Sequence, residues 1–195
     1  WPARMGYRLW LRIQGRIFDM IVGMAEPMRG EIERLMNAAP TRIAIIEDPS
    51  ISQQQFERLS AQLRRRQPDW GLRLLGIGRL VPQKNFAMMI RAFASYSWGN
   101  DRLTIVGDGP ERDMLEGLAL KNGVANRIEF AGHQTDIASY LQNHDIFVLS
   151  SDYEGVPAVI IEALAAGMPI VATDCSVSMP ALLGHGAFGL LVPVR

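Results

Sequence analysis

The chain has 195 residues, enough for one full domain with further elements attached. Its 48% hydrophobic and 21% charged content is that of a soluble globular protein. Basic and acidic side chains balance to a net charge of zero, so composition gives no support to a nucleic-acid partner. A single cysteine, Cys175, excludes an intrachain disulfide framework and fits a reducing compartment. His133, His144 and His185 show no metal-ligand spacing. No apolar stretch approaches the length of a bilayer span. The sequence opens at Trp1-Pro2 without an initiator methionine or signal peptide, and Val192-Pro193-Val194-Arg195 follows directly on an expected strand. The expectation is a piece of a longer protein.

Residues 4–18 read as a helix. Arg4, Arg8, Arg12 and Arg16 recur every four residues and form one stripe, beside an apolar face of Trp1, Leu9, Trp10, Ile13 and Ile17. Such a helix either meets anionic lipid or is an ordinary surface helix with solvated arginines, and the second reading is preferred. Asp19 to Met24 reads as a short strand, Pro27 to Asn37 as a helix, Thr41 to Pro49 as a strand ending in a turn, and Gln53 to Arg66 as a polar helix.

From residue 72 onward strand and helix signals alternate. Strands are predicted at Leu72–Ile77, Leu103–Val106, Ile128–Ala131, Ile146–Leu149, Ile170–Ala172 and Gly189–Val192. Helices are predicted at Phe86–Tyr96, Glu111–Leu120, Asp136–Asn143, Ala158–Ala166 and Met179–Leu183. A βαβ series of this kind is an α/β fold with a doubly wound parallel sheet covered on both faces. Ligands in such sheets bind at the carboxyl ends of the strands, where every motif from Gly76 onward falls.

Four motifs sit at those ends. Gly76-Ile77-Gly78-Arg79-Leu80-Val81-Pro82-Gln83-Lys84-Asn85 pairs glycines, which permit close backbone approach, with two cations, Arg79 and Lys84. A dinucleotide fingerprint needs a third glycine, and Val81 stands in its place. Gly107-Asp108-Gly109-Pro110 lacks that third glycine too; it reads as a tight turn into a helix starting at Pro110, with Asp108 either its N-cap or a ligand contact. Phe130-Ala131-Gly132-His133 ends the third strand of the series. Finally, Glu154 and Glu162 lie in Glu154-Gly155-Val156-Pro157-Ala158-Val159-Ile160-Ile161-Glu162, with seven residues between the carboxylates. Pro157 suits a first helical turn, and Gly167 with Pro169 supplies a stop. The helix is apolar apart from Glu162, which predicts burial, and a carboxylate there needs hydrogen-bond donors. Gly155, Val156 and Ala158 offer backbone N–H groups at its start, where anions are favoured.

The Glu154–Glu162 run and its surroundings resemble the donor-binding half of a retaining glycosyltransferase. The family is that with two facing Rossmann-like domains (the GT-B fold), family 4-like, the glycosyl transferases group 1. The resemblance runs from about Arg42 to the end and more weakly before it. It implies residues 1–40 as the end of an acceptor-side domain with its linker, and 41–195 as the donor-binding domain.

It implies Arg79 and Lys84 on the diphosphate, Glu154 on sugar hydroxyls and Glu162 on the ribose, so that Glu154, Arg79 and Lys84 carry the chemistry. Gly78, Gly107, Gly109, His133, Gly155, Val156 and Pro157 line the donor site on the same ground, with His133 near the nucleobase. The donor would be a UDP- or GDP-linked hexose and the acceptor a glycan or lipid-linked hydroxyl. No metal or other cofactor is expected, because two cations meet the charge on the leaving group. The location implied is cytoplasmic, with the basic helix as the candidate contact to the inner face of the membrane.

Two alternatives stay open: a nucleotide-sugar binding module without activity of its own, and a nucleotide-sugar epimerase on the same scaffold. One stretch departs from the pattern. Many relatives carry a glycine pair and then a Glu after the strand at 170–172; here Ser176 to Pro180 replaces the glycines, and Ala181 or a neighbour the Glu. His144, beside Asp145, suits a helix C-terminus. His185 in Gly184-His185-Gly186 has no role beyond a turn, and nothing near Cys175 activates it.

Overall fold

The computed structural model describes residues 2–47, 49–61, 71–96 and 98–194. The N-terminal segment contains α1 (Pro2–Ile17), β1 (Ile21–Gly23), α2 (Met28–Met36), β2 (Ile43–Ile45) and α3 (Gln53–Ser60). Of the polar helix expected over Gln53–Arg66, residues 62–66 lie outside the described residues. Then follow β3 (Arg73–Ile77), α4 (Phe86–Tyr96), β4 (Arg102–Val106), α5 (Arg112–Lys121), β5 (Ile128–Gly132) and α6 (Ile137–Asn143). The chain continues through β6 (Ile146–Leu149), α7 (Ala158–Ala165), β7 (Ile170–Thr173), α8 (Met179–Leu182) and β8 (Gly189–Val192).

The six strands from β3 onward form one parallel sheet in the order β5-β4-β3-β6-β7-β8. Alternate residues of each strand face opposite sides, so the sheet feeds two cores. Leu74, Leu103 and Ile105 pack with Phe86, Ile90 and Phe93 of α4 and Leu115 of α5. Leu75, Ile77, Val106 and Phe147 pack on the other side with Leu141 of α6 and Ile160 and Ala163 of α7. This is the doubly wound arrangement expected. The helix bearing Glu162 is less deeply buried than its apolar sequence predicts: Ile160 and Ala163 are buried, while most of its other residues are half-covered. One turn of it stays near the surface, where a ligand has access.

Local capping sets the helix starts. Ser52 accepts from the Gln55 N–H while the Gln55 side chain accepts from the Ser52 N–H, a capping box that opens α3. Asn85 turns through a left-handed conformation and its Oδ1 accepts from the Met88 N–H, opening α4. The helix expected from Pro110 begins at Arg112, and Asp108 is not its N-cap: its carboxylate accepts from the adjacent Gly109 N–H at 2.7 Å. Pro157 is the N-cap of α7, which starts at Ala158 as expected. At the far end of α6, His144 is buried, with Nδ1 2.7 Å from the Tyr140 carbonyl and Nε2 2.9 Å from the Thr104 hydroxyl. It closes the helix C-terminus by hydrogen bonding.

In the N-terminal segment β1 and β2 pair in parallel as a two-stranded sheet apart from the larger one. α1 crosses α2 closely because Gly15 has no side chain; a Cβ there would stand 2.2 Å from the Met36 carbonyl oxygen. Leu9, Trp10, Ile13 and Ile17 of α1 are exposed. Arg8 and Arg12 line a cleft with Arg34 of α2, so the arginine stripe is extended by a second helix.

The tightest approach in the fold is at Gly107, which has φ +134° and whose added Cβ would lie 1.9 Å from the Gly78 carbonyl oxygen. Gly107→Ala is therefore expected to destabilise the protein by about 3 kcal/mol in denaturant unfolding, since backbone must move on both sides. A loss below about 1 kcal/mol would show that the two loops part easily.

Candidate functional site

The chain runs from β3 outward through β4 and β5, then returns to place β6 on the other side of β3. The direction of travel reverses between β3 and β6, and a crevice opens at the carboxyl ends of such a strand pair. The loop after β3 carries Gly78, Arg79 and Lys84. The loop after β6 carries Glu154, Gly155, Val156 and Pro157. Residues remote in sequence are thereby forced to share one space.

Lys84 and Glu154 meet there, with Nζ 2.5 Å from Oε1 and both side chains largely covered. Ser151, fully buried, donates its hydroxyl to the same Oε1 at 2.7 Å. Two hydrogen bonds tie the loops: Asp152 N–H to the Gln83 carbonyl, and the Ser150 hydroxyl to the Lys84 carbonyl. Gln83 donates to the Tyr153 carbonyl, and Asn85 donates to the Asp152 carboxylate. A cation and a carboxylate are thus held at fixed separation on rigid strand ends, which leaves little reorganisation when a ligand arrives.

The glycines of the neighbouring loops have a structural task. Gly78 N–H donates to Val106, Leu80 N–H to Asp108, Glu111 N–H to Leu80 and Gly107 N–H to Gly132. These bonds stitch the loops after β3, β4 and β5 into one rim. A Cβ at Gly109 would lie 2.4 Å from the Leu80 carbonyl oxygen, so Gly109, like Gly107, admits loop on loop. At Gly78 a Cβ would lie 3.4 Å from the Lys84 Cδ and Cε, so the lysine stem runs across this glycine on its way to Glu154.

At the start of α7 the N–H groups of Gly155, Val156 and Ala158 have no hydrogen-bond partner among the described residues. These are the donors expected from the sequence, and together with the helix dipole they favour an oxyanion. Arg79 lies on the rim, exposed, with no side-chain hydrogen bond or ion pair among the described residues. His133 lies at the end of β5 and is likewise exposed.

Glu162, two turns into the region after Glu154, lines a different recess. Gln55, Arg58 and Leu59 of α3, Thr135 and Asp136 of the β5–α6 connection, and Ile137, Ala138 and Leu141 of α6 form the rest of this cleft of about 240 Å³. Arg58 is engaged with Asp136 at 2.9 Å. Burial pushes the Glu162 carboxyl above the ordinary carboxylate range, and no cation opposes that. Such a group is a ready acceptor for hydroxyl donors. Cys175 is buried, and burial pushes its thiol up as well, so it is not an activated nucleophile. His185 occupies a left-handed turn position between Gly184 and Gly186, as expected.

Sequence reasoning thus names the charged members of the site but not their supports. Ser151, Gln83, Asn85 and Asp152 escape it because each is an ordinary loop residue until the two loops are apposed. Met24, from the turn after β1, escapes it too: its Cε would lie 3.1 Å from a Cβ added at Gly155. The N-terminal segment therefore reaches the turn that bears Glu154.

The raised Glu162 pKa predicts a pH-dependent cost. A carboxyl whose folded pKa lies above its unfolded value stabilises most below the unfolded value, about pH 4.3, and that contribution is lost as pH rises through the folded value. At neutral pH the charged form is the less favourable one. Glu162→Gln, which keeps the shape and removes the charge, should melt about 2 °C above the parent at pH 7.5, after allowance for partial exposure, and the gap should close toward pH 4. A gap of the same size at both pH values would argue against burial as its cause.

The family described as glycosyl transferases group 1 matches residues 71–195. The lipopolysaccharide core biosynthesis glycosyltransferase LpsE of Rhizobium meliloti (strain 1021) is 38% identical over 125 residues, covering 62% of this chain and 35% of that protein. Among solved structures, Anabaena Alr3699/HepE in complex with UDP and glucose superposes with a TM-score of 0.73 at 22% identity, covering 95% of this chain and 53% of that one. The lipopolysaccharide outer core galactosyltransferase WaaB, in its apo form, superposes with a TM-score of 0.72 at 20% identity, covering 90% and 49%. The chain spans about a third of the length of LpsE and about half that of the superposed structures. On the family match over 71–195, with the six-stranded parallel sheet and its strand-end site, the chain belongs to the glycosyl transferases group 1.

Proposed function

We propose that the protein of which this chain is part transfers a hexose-type sugar from a UDP- or GDP-linked donor to a hydroxyl acceptor with retention of configuration, as a family 4-like enzyme. Residues 41–195 would form its donor-binding domain and 1–40 the end of the acceptor side. The observation that carries the reading is the Lys84–Glu154 contact at the sheet's reversal point, beside three unpaired N–H groups. Binding of UDP by HepE, a structural neighbour, supports a nucleotide donor.

Each residue then has a task. The departing diphosphate gains negative charge as the glycosidic bond breaks. Lys84 and Arg79 meet that charge, and they do so most strongly in the transition state. Glu154 neutralises Lys84 before the donor arrives and accepts from sugar hydroxyls once it is bound. Glu162 accepts from the ribose hydroxyls, which relieve a carboxylate held short of solvent. Gly155, Val156 and Ala158 offer N–H groups to phosphate oxygens. No metal is assigned a role, because the cations already supply its charge. Acceptor choice belongs to a glycan or lipid-linked hydroxyl on the acceptor side, at the cytoplasmic face of the membrane.

In the full-length protein, Lys84→Ala should lower kcat about 100- to 1,000-fold with the fold retained. Unchanged turnover would remove Lys84 from the chemistry. Calorimetric titration with UDP and with GDP should show binding of one, weakened about tenfold by Glu162→Ala. Donor consumed without acceptor to give an epimer would favour the epimerase reading, and binding without any turnover the binding-module reading.

Against the preference for an ordinary surface helix, the cleft lined by Arg8, Arg12 and Arg34 supports contact of α1 with an anionic lipid surface. Arg→Glu at positions 8, 12 and 16 should abolish co-sedimentation with anionic liposomes. Undiminished co-sedimentation would end the lipid assignment.

A further inference from the structure

The loop after β7, through Ser176 and Ser178, holds the turn that bears Glu154. The Ser176 hydroxyl donates to the Gly155 carbonyl at 2.5 Å, and the buried Ser178 hydroxyl donates to the same oxygen at 2.9 Å. The two hydroxyl oxygens are 2.8 Å apart, and the Ser178 N–H donates to Ser176 Oγ at 3.2 Å. From the same loop the Cys175 carbonyl accepts the Glu154 N–H at 2.9 Å, and Thr173 at the end of β7 donates to the Ser151 carbonyl at 2.6 Å. Four groups of the strand end and the loop after it therefore grip residues 151–155.

The grip has a geometric consequence. A trans peptide is planar, with its C=O and N–H pointing opposite ways. Holding the Gly155 carbonyl toward Ser176 and Ser178 aims the N–H of the same peptide, that of Val156, away from the serine loop. That N–H has no partner among the described residues. Two donors on the carbonyl also polarise the peptide and make its N–H a stronger donor. A donor with fixed aim and raised strength, at the entry of a helix and two residues after the Glu154 that contacts Lys84, suits an oxyanion.

We propose that Ser176 and Ser178 are positioning residues that aim the Val156 N–H at the distal phosphate of a nucleoside diphosphate. They touch no substrate themselves and act through the Gly155–Val156 peptide. The inference rests on the transferase reading above.

The test compares diphosphate with monophosphate in the full-length protein. Calorimetry would measure UDP against UMP, and GDP against GMP, for the parent, Ser176→Ala, Ser178→Ala, the double variant and Ser176→Thr. The preference for diphosphate should fall about tenfold in the double variant while monophosphate affinity stays within about twofold, and Ser176→Thr, which keeps a hydroxyl, should retain the preference. If the double variant does not fold, Ser176→Ala alone should lower the preference about threefold, because Ser176 is only half-buried. A parent that prefers diphosphate and variants that keep that preference would overturn the serine assignment alone. So would variants that lose both nucleotides equally, since that marks general loosening. A parent that binds neither nucleotide would overturn the transferase reading and this inference together.

Discussion

Lys84 and Glu154 are 70 positions apart in sequence and 2.5 Å apart in space, and most of the site follows from that contact. An ion pair this well covered is not there chiefly for stability. Desolvating two charges consumes most of what their attraction returns. Its existence is decided by topology: β3 and β6 are neighbours, the chain turns back between them, and the loops leaving their carboxyl ends have nowhere else to go. Ser151 and the backbone bonds between the two loops then fix the separation. In the proposed reading a ligand anionic at its phosphates and donor-rich at its sugar would engage both members of the pair, the phosphates at Lys84 and the hydroxyls at Glu154.

The glycine-rich rim supports this arrangement indirectly. In a dinucleotide fold, paired glycines at a strand end bring backbone to the ligand. Here Gly107 and Gly109 first bring backbone to backbone, letting the loop after β4 lie on the loop after β3. The chain of N–H to carbonyl bonds through Gly78, Leu80, Gly107 and Glu111 makes one rigid rim of three loops. Lys84 leaves that rim across Gly78. The glycines thus matter to the site through the lysine they position, whether or not they touch a ligand.

Glu162 shows a different economy. It lines a recess shared with α3, a helix that reaches it from the start of the chain, and its carboxyl is raised by burial without an opposing cation. Glu162 is half-covered, and a carboxyl perturbed by burial at the wall of a cleft is a common mark of a binding position. Met24 adds a second reach from the N-terminal segment, toward Gly155. Both ends of the candidate site are therefore bordered by residues outside the six-stranded sheet.

The sequence by itself determined the periodic part of this protein. Apolar runs of four to six residues bounded by glycine and turn signals locate β3 to β8, and the helix at Phe86–Tyr96 has the observed bounds, because strand and helix periods are local properties of the chain. It also named Lys84, Arg79, Glu154 and Glu162, since charged residues beside glycines at strand ends, or alone on an apolar helix, stand out against their neighbours. Only the tertiary structure decided which of them meet. Lys84 touches Glu154 while Glu162 faces another recess, although Glu162 is far closer to Glu154 in sequence. Only the structure could show that Asp108 bonds its neighbour instead of capping a helix, that β2 pairs with β1, and that Ser176 and Ser178 converge on one carbonyl. These outcomes depend on strand order and loop apposition, which are set by packing between distant segments, and no local pattern of residue types encodes them.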